Sequence, residues 1–273
     1  MKEGAKKPPV RFQFESCGTS SEKISPNMVY SESLNVPLIQ IEKPHGRHLA
    51  VCGSGPSIKN RLKELRKWKG EVWAINGTVQ YLLDHGIDST FVSVDPSPRF
   101  DLARIVNAKY ALASMACDPA VFDAFKGRVK GCYITPSEKA PFVCTGGCTT
   151  ATRMPMLALH MGYRNVTFFG CEGSYENDTH VYADFKGELE LWIDAGGNRY
   201  RTCPEALMQS QYLSSLIINF PQGFSEKCGG LLRAMIKHPD TWTMTYVSDA
   251  LKQRLEMSYE RQASLMTQQG AQL

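Results

Sequence analysis

Gly53, Ser54, Gly55, Pro56 and Ser57 interrupt the chain directly after a short apolar run, Leu49-Ala50-Val51-Cys52, and a helical pattern follows them. Glycines without a Cβ let the backbone turn with positive φ and come close to a ligand. Pro56 suits the first position of a helix, Ser54 or Gly55 is placed to cap it, and Ser57 adds a hydroxyl in the first turn. The free N–H groups of such a first turn attract anions, most commonly a phosphate. The plainer role of the same residues is a tight strand-to-helix connection. Asn76 and Gly77 close a second apolar run at 71–75, and Asp95 closes a third at 90–94. Asn76 is suited to hydrogen-bond a base or ribose, or else to form the turn before Gly77. Asp95 offers a carboxylate to Mg2+ or to a ribose, or else caps the helix that follows. Glu172 and Asp178 bring the hard oxygen atoms that complete a divalent-cation site. His180 is the one histidine in a polar, motif-like setting, which makes it the candidate acid or base. Thr145, Gly146 and Gly147 form a second glycine-bearing turn ahead of a helix, and Arg99 and Arg153 lie near enough to the same edge to meet phosphates.

Two familiar nucleotide loops do not fit. The 53–57 turn has no Gly-Lys-Ser/Thr, so it is not a P-loop. The third glycine of a dinucleotide fingerprint would fall at Ile58, and the second strand ends at Asn76 rather than at an acidic residue, which argues against NAD.

The elements that must position these residues alternate regularly. Strands are predicted at 49–53, 71–75, 90–94, 109–113, 130–134 and 165–169. Helices are predicted at 56–67, 78–85, 98–106, from Asp118-Pro119 onward, and at 148–161, where Pro155 predicts a kink or a later start. Short apolar runs alternating with helices mean βαβ units and a mostly parallel sheet, whose ligands bind beyond the carboxyl ends of the strands. The 53–57 turn, Asn76 and Asp95 all stand at such ends. Farther on, 188–193 and 198–202 flank Gly196-Gly197 as a β-hairpin, and helices are expected at 204–218 and 229–237.

Composition divides the chain into a loosely ordered arm over 1–45, one domain over 46–240 and an amphipathic helical tail over 241–273 suited to pack on the domain or on a second subunit. Within the arm, the alternation over 10–14 suits an edge strand, and Lys2, Lys6 and Lys7 read as a solvated tail or as a contact for an anionic partner. The 42% apolar residues suffice for a core, and a net charge of +4 does not point to nucleic acid. Nine cysteines are scattered, several inside apolar runs, which suits free thiols in a reducing, cytoplasmic setting. Cys144 and Cys148 lack a matching second half for zinc. No apolar run approaches the ~18 residues of a membrane span, and the basic start lacks the apolar region of a secretory signal.

Read together and in order, several segments resemble the MptE-like family, named for an archaeal 6-hydroxymethyl-7,8-dihydropterin diphosphokinase. They are 51–57, Ala74-Ile75-Asn76-Gly77, 92–96, 145–149, 162–172 and Thr179-His180. The hairpin at 198–202 and the turn at 218–223 resemble that family's later part, so the resemblance covers about 48–235. The Gly-x-Gly-Pro-Ser opening is also similar to bacterial sialyltransferases, whose Rossmann-like domain binds a CMP-sugar. The resemblance implies an α/β fold with a Rossmann-like, mostly parallel sheet flanked by helices, ending in a β-hairpin and helices. It implies a nucleotide-dependent transferase that moves diphosphate from ATP to an acceptor hydroxyl with Mg2+.

Under that reading Gly53, Ser54, Gly55, Pro56, Ser57, Asn76, Gly77, Thr145, Gly146 and Gly147 bind nucleotide and phosphate. Asp95 and Glu172 hold the metal, and His180 with Asp95 acts in catalysis. The alternatives are a glycosyltransferase with a CMP-type or other nucleotide-sugar donor and a glycan or small-molecule acceptor, and a non-catalytic nucleotide-binding module.

Overall fold

A computed structural model describes residues 21–97, 101–175, 190–239, 241–250 and 253. In chain order its strands are β1 (His45–Cys52), β2 (Glu71–Ile75), β3 (Thr90–Ser93), β4 (Ala111–Ser114), β5 (Val129–Cys132), β6 (Tyr163–Phe169), β7 (Leu191–Ala195), β8 (Asn198–Thr202), β9 (Phe224–Glu226) and β10 (Thr243–Val247). The helices are α1 (Ser21–Ser33), α2 (Leu62–Arg66), α3 (Thr78–Asp84), α4 (Leu102–Ile105), α5 (Pro119–Ala124), α6 (Thr150–His160), α7 (Pro204–Asn219) and α8 (Gly230–Lys237), with a 3-10 segment over Pro56–Arg61.

Seven strands form one parallel sheet in the order β5-β4-β3-β2-β1-β6-β9. Its central strands are apolar along their length because both faces are covered. Alternate residues of β1 go to opposite sides. Leu49 and Val51 pack with Trp73, Met154, Leu157, Leu213 and Leu232. Ala50 and Cys52 pack with Ile58, Leu65, Val79, Leu82 and Phe122. The chain winds outward from β1 to β5 and then returns to lay β6 on β1's other side. The carboxyl ends of β1 and β6 are therefore the topological switch point of the sheet, where a crevice opens in folds of this kind. The hairpin β7–β8 carries β10 on its other edge, and this small antiparallel sheet packs Leu191 and Ile193 on Leu207 of α7 and on Leu231 and Met235 of α8.

Most expected elements are present, with shifted ends. β1 begins four residues before its apolar run, since His45 and His48 pair with Tyr163 and Asn165 of β6. The helix expected at 56–67 is split into the 3-10 segment and α2. Asp118 caps α5 by accepting from Ala120 N at 3.0 Å, as its place before Pro119 suggests. Pro155 lies inside α6, and the helix begins at Thr150 through a capping box of Thr149 and Thr152. The start of the tail forms β10 rather than helix, because β7 has an edge to pair. The proposed strand at 10–14 and nearly all of the expected helical tail lie outside the described residues.

The part of the arm from residue 21 on is not loose. Polar composition hides a helix whose few inward side chains reach the sheet's carboxyl edge. Asn27 Nδ2 donates to Pro96 O and to Ala116 O, both at 3.0 Å, and Ser31 Oγ donates to Met115 O at 2.7 Å. Tyr133 Oη donates to Glu32 Oε1 at 2.8 Å, and Lys139 pairs with the other Glu32 oxygen. Asn27 thus bridges the loops after β3 and β4, one residue from Asp95. Asn27→Ala leaves two buried carbonyls without their donor and is expected to cost about 1–3 kcal/mol. Urea unfolding checks this, and an unchanged midpoint would show that the bridge contributes nothing.

Candidate functional site

The 53–57 turn does not stand open. Gly53 N donates to Phe169 O at 2.8 Å and Gly55 N to Gly170 O at 2.7 Å, so the pairing of β1 with β6 continues past the strand ends. Neither glycine has a positive φ, which is a correction to the expectation from sequence, and Gly55 sits at φ −68° and ψ 151°. Their need for no Cβ comes from close approach. A Cβ at Gly53 would stand 2.5 Å from Gly170 O and 2.9 Å from Cys171 Sγ, and one at Gly55 would collide with the Glu172 carboxylate. The group approached is the protein's own chain.

Glu172 itself is 3% exposed. Its Oε1 accepts from Ser57 N at 2.7 Å, the N–H that the sequence reading offers to a phosphate. Its Oε2 is buried with no hydrogen-bond partner among the described residues, and the same holds for the neighbouring Ser57 Oγ. Burial raises the Glu172 carboxyl above its ordinary value, with Glu226 adding to the rise. The Ser57 hydroxyl and the backbone N–H groups pull the other way. Glu172 and Asp95 were expected to share a metal, and the fold separates them. Their strands, β6 and β3, have β2 and β1 between them, a distance of about 14 Å at the usual strand spacing. One ion does not span that gap.

Asn76 and Asp95 are brought together. They lie at the ends of the neighbouring strands β2 and β3, and Asn76 Nδ2 donates to Asp95 Oδ2 at 3.2 Å. Asn76 adopts φ +50°, the left-handed conformation that Asn tolerates better than most residues, so it makes the turn and also carries the polar contact. Gly77 at φ −62° needs no such freedom. Asn76 Oδ1 is buried without a partner among the described residues. Asp95 N donates to Ser93 Oγ at 3.2 Å, which fixes the backbone that carries the carboxylate.

Thr145, Gly146 and Gly147 lie at the same edge of the sheet, between the β5 loop and α6. Gly146 at φ +127° packs against the Thr152 carbonyl, and Gly147 faces the Thr152 side chain, so this turn seats the start of α6. Arg153 Nη1 donates to Cys144 O at 2.7 Å and holds the same loop. His160 stacks on Phe142 with ring centroids 4.1 Å apart, and burial lowers its pKa, a structural placement. Arg99, Asp178 and His180 lie outside the described residues. Eight cysteines are described and all are free. Among the described residues no cluster of three or more His, Cys, Asp or Glu side chains is placed to hold a metal ion, and no helix is long and apolar enough to cross a membrane. The link from Ser57 to Glu172 and the anchoring by Asn27 escape a sequence reading. The two glycines that bracket Cys171-Glu172 were the visible signal for the first.

A family model described as 6-hydroxymethylpterin diphosphokinase MptE-like matches residues 24–178, more than half of the chain. The chain belongs to the MptE-like family. No curated protein and no solved structure matches it. The MptE-like span starts inside α1, earlier than the motif resemblance does, and takes in β1 to β6 with the 53–57 turn, Asn76, Asp95, the 145–147 turn and Glu172. It ends at Asp178, so His180, the small antiparallel sheet, α7 and α8 lie beyond it.

Proposed function

We propose that this MptE-like chain is a nucleotide-dependent transferase that moves diphosphate from ATP to the hydroxyl of a small acceptor. One observation carries the reading. Within the span matched to a family model named for a diphosphokinase, the sheet edge sets the Asp95 carboxylate against Asn76, whose Oδ1 is buried without a partner among the described residues. A carboxylate and an amide oxygen are the hard donors that Mg2+ prefers, and they fit that ion. Bound there, Mg2+ would neutralise charge on the diphosphate. Glu172, buried and turned onto Ser57, does not fit the same role.

The chain's own work is alignment. The acceptor oxygen attacks the β-phosphorus of ATP, the bond to the α-phosphate's bridging oxygen breaks, and AMP leaves. Asp95 and Asn76 hold the diphosphate end at the carboxyl edge of β2 and β3. The 145–147 turn borders the same edge. His180, which follows the matched span, is the group assigned to take the proton from the acceptor hydroxyl.

A thermal-shift panel tests the reading. ATP with Mg2+ at ~100-fold over its Kd contributes about 2.7 kcal/mol, a rise in Tm of roughly 5–10 °C for a chain of this size. ATP without Mg2+ is expected to shift less. A shift with CMP that is indifferent to Mg2+ would replace this function with the glycosyltransferase one. No shift with either nucleotide would overturn the nucleotide reading.

A further inference from the structure

We infer that the 53–57 turn is a phosphate subsite that the protein fills with its own Glu172 carboxylate, and that the phosphate of an incoming ligand enters by displacing it. The inference deepens the proposed function and rests on its reading of this sheet edge as a nucleotide site.

Position comes first. The turn and Glu172 stand at the carboxyl ends of β1 and β6, the switch point of the sheet. Glu172 Oε1 occupies the place of an anion on Ser57 N at 2.7 Å, and Gly55 leaves the room that the carboxylate fills. The internal anion is poorly satisfied there. It is 97% buried by its 3% exposure, and Oε2 has no hydrogen-bond partner among the described residues. Ser57 Oγ stands beside it, near enough to hold the carboxyl's pKa down but outside hydrogen-bond geometry.

The surroundings compensate the charge only in part, through the Ser57 hydroxyl and the backbone N–H groups of Ser57 and Glu172. From β9 the Glu226 carboxylate faces it, from the following loop the Cys228 thiol, and from α8 the Arg233 guanidinium. Cys171 precedes it in the chain and donates its N–H to Cys228 Sγ. Arg233 directs its two contacts, at 3.0 and 3.3 Å, to Glu226 and not to Glu172. A buried carboxylate oxygen without a donor is costly to keep. A phosphate group carries several acceptor oxygens and meets both the Ser57 N–H and the Ser57 hydroxyl once the carboxylate leaves. Leu232 N donates to Glu172 O at 2.8 Å and holds the backbone, so the displacement is a rotation of the Glu172 side chain alone.

The experiment titrates the full chain with inorganic pyrophosphate and, separately, with ATP, for the natural protein and for Glu172→Gln. Glutamine keeps the shape and the acceptor for Ser57 N but removes the charge. Pyrophosphate is expected to bind the variant about tenfold more tightly. In the natural protein its affinity, corrected for the protonation of pyrophosphate itself, is expected to rise as the pH falls, as Glu172, whose carboxyl burial holds above its ordinary value, takes up a proton and stops competing. The variant lacks that added rise. The pH series on the natural protein decides the matter should Glu172→Gln fail to fold. Equal or weaker pyrophosphate binding by a folded variant, or no added rise at low pH, overturns the inference. ATP binding that is equal in both proteins would overturn it while leaving the proposed function standing. Tighter pyrophosphate binding by the variant with no ATP binding in either would keep the subsite and remove the nucleotide reading. No binding of either ligand to either protein would overturn both.

Discussion

Asp95→Asn is expected to lower diphosphoryl transfer about 100- to 1000-fold while the fold persists. The substitution keeps the size of the side chain and removes its charge. Asp95 is partly buried at the end of β3, where its carboxylate accepts from Asn76 Nδ2 and its backbone N–H is held by Ser93 Oγ. An amide in its place still accepts a hydrogen bond, so the stability change is expected to stay within about 1 kcal/mol. Under the proposed function, what would be lost is the anionic oxygen offered to Mg2+ and the diphosphate, and with it the dependence on Mg2+. The assay is AMP release from ATP with 6-hydroxymethyl-7,8-dihydropterin as the acceptor probe, with and without Mg2+, beside a melting curve. Undiminished, Mg2+-dependent release from the folded variant would remove Asp95 from the machinery. Loss of release together with loss of the melting transition would make Asp95 a structural residue instead.

Gly53→Ala is expected to destabilise the fold by overpacking the backbone at the switch point of the sheet. The added Cβ meets backbone, with Gly170 O at 2.5 Å and Gly170 C at 3.2 Å, and also the buried Cys171 Sγ at 2.9 Å. None of these is the free end of a flexible side chain. Relief therefore requires that the ends of β1 and β6 part, which breaks the bond from Gly53 N to Phe169 O. Overpacking of this kind costs about 1–3 kcal/mol, a fall in Tm of roughly 2–12 °C. Calorimetry measures it directly. A Tm within a degree or so of the natural protein would mean that the two strand ends are not tightly apposed, and the account of Glu172 held against the turn would fall with it.

The fold was largely legible in the chain because parallel strands buried on both faces must be short, apolar and bounded. Val72 to Ile75, Phe91 to Ser93 and Val166 to Phe169 announce themselves in that way, and Asp118-Pro119 marks a helix start through a local capping rule. α1 was not legible. Its tie to the sheet is made by single polar side chains such as Asn27, whose partners lie 69 and 89 residues away, and no local pattern encodes a contact at that range. β10 was hidden for the same reason, since an edge strand takes its conformation from the β7 it pairs with.

The candidate site divides along the same line. Residue types and their spacing were enough to place the 53–57 turn, Asn76, Asp95 and Glu172 at strand ends on one edge of one sheet, because strand direction in a βαβ chain puts every such end on the same side. Strand order is a different kind of information. It arises from which buried faces pack best across the whole domain, and it sets β6 beside β1 while leaving β3 two strands away from β1. That order is why Asp95 meets Asn76 and not Glu172. It is also why the glycines of the first turn, which look from their spacing like room for a phosphate, hold a carboxylate that arrives from 115 residues farther along the chain.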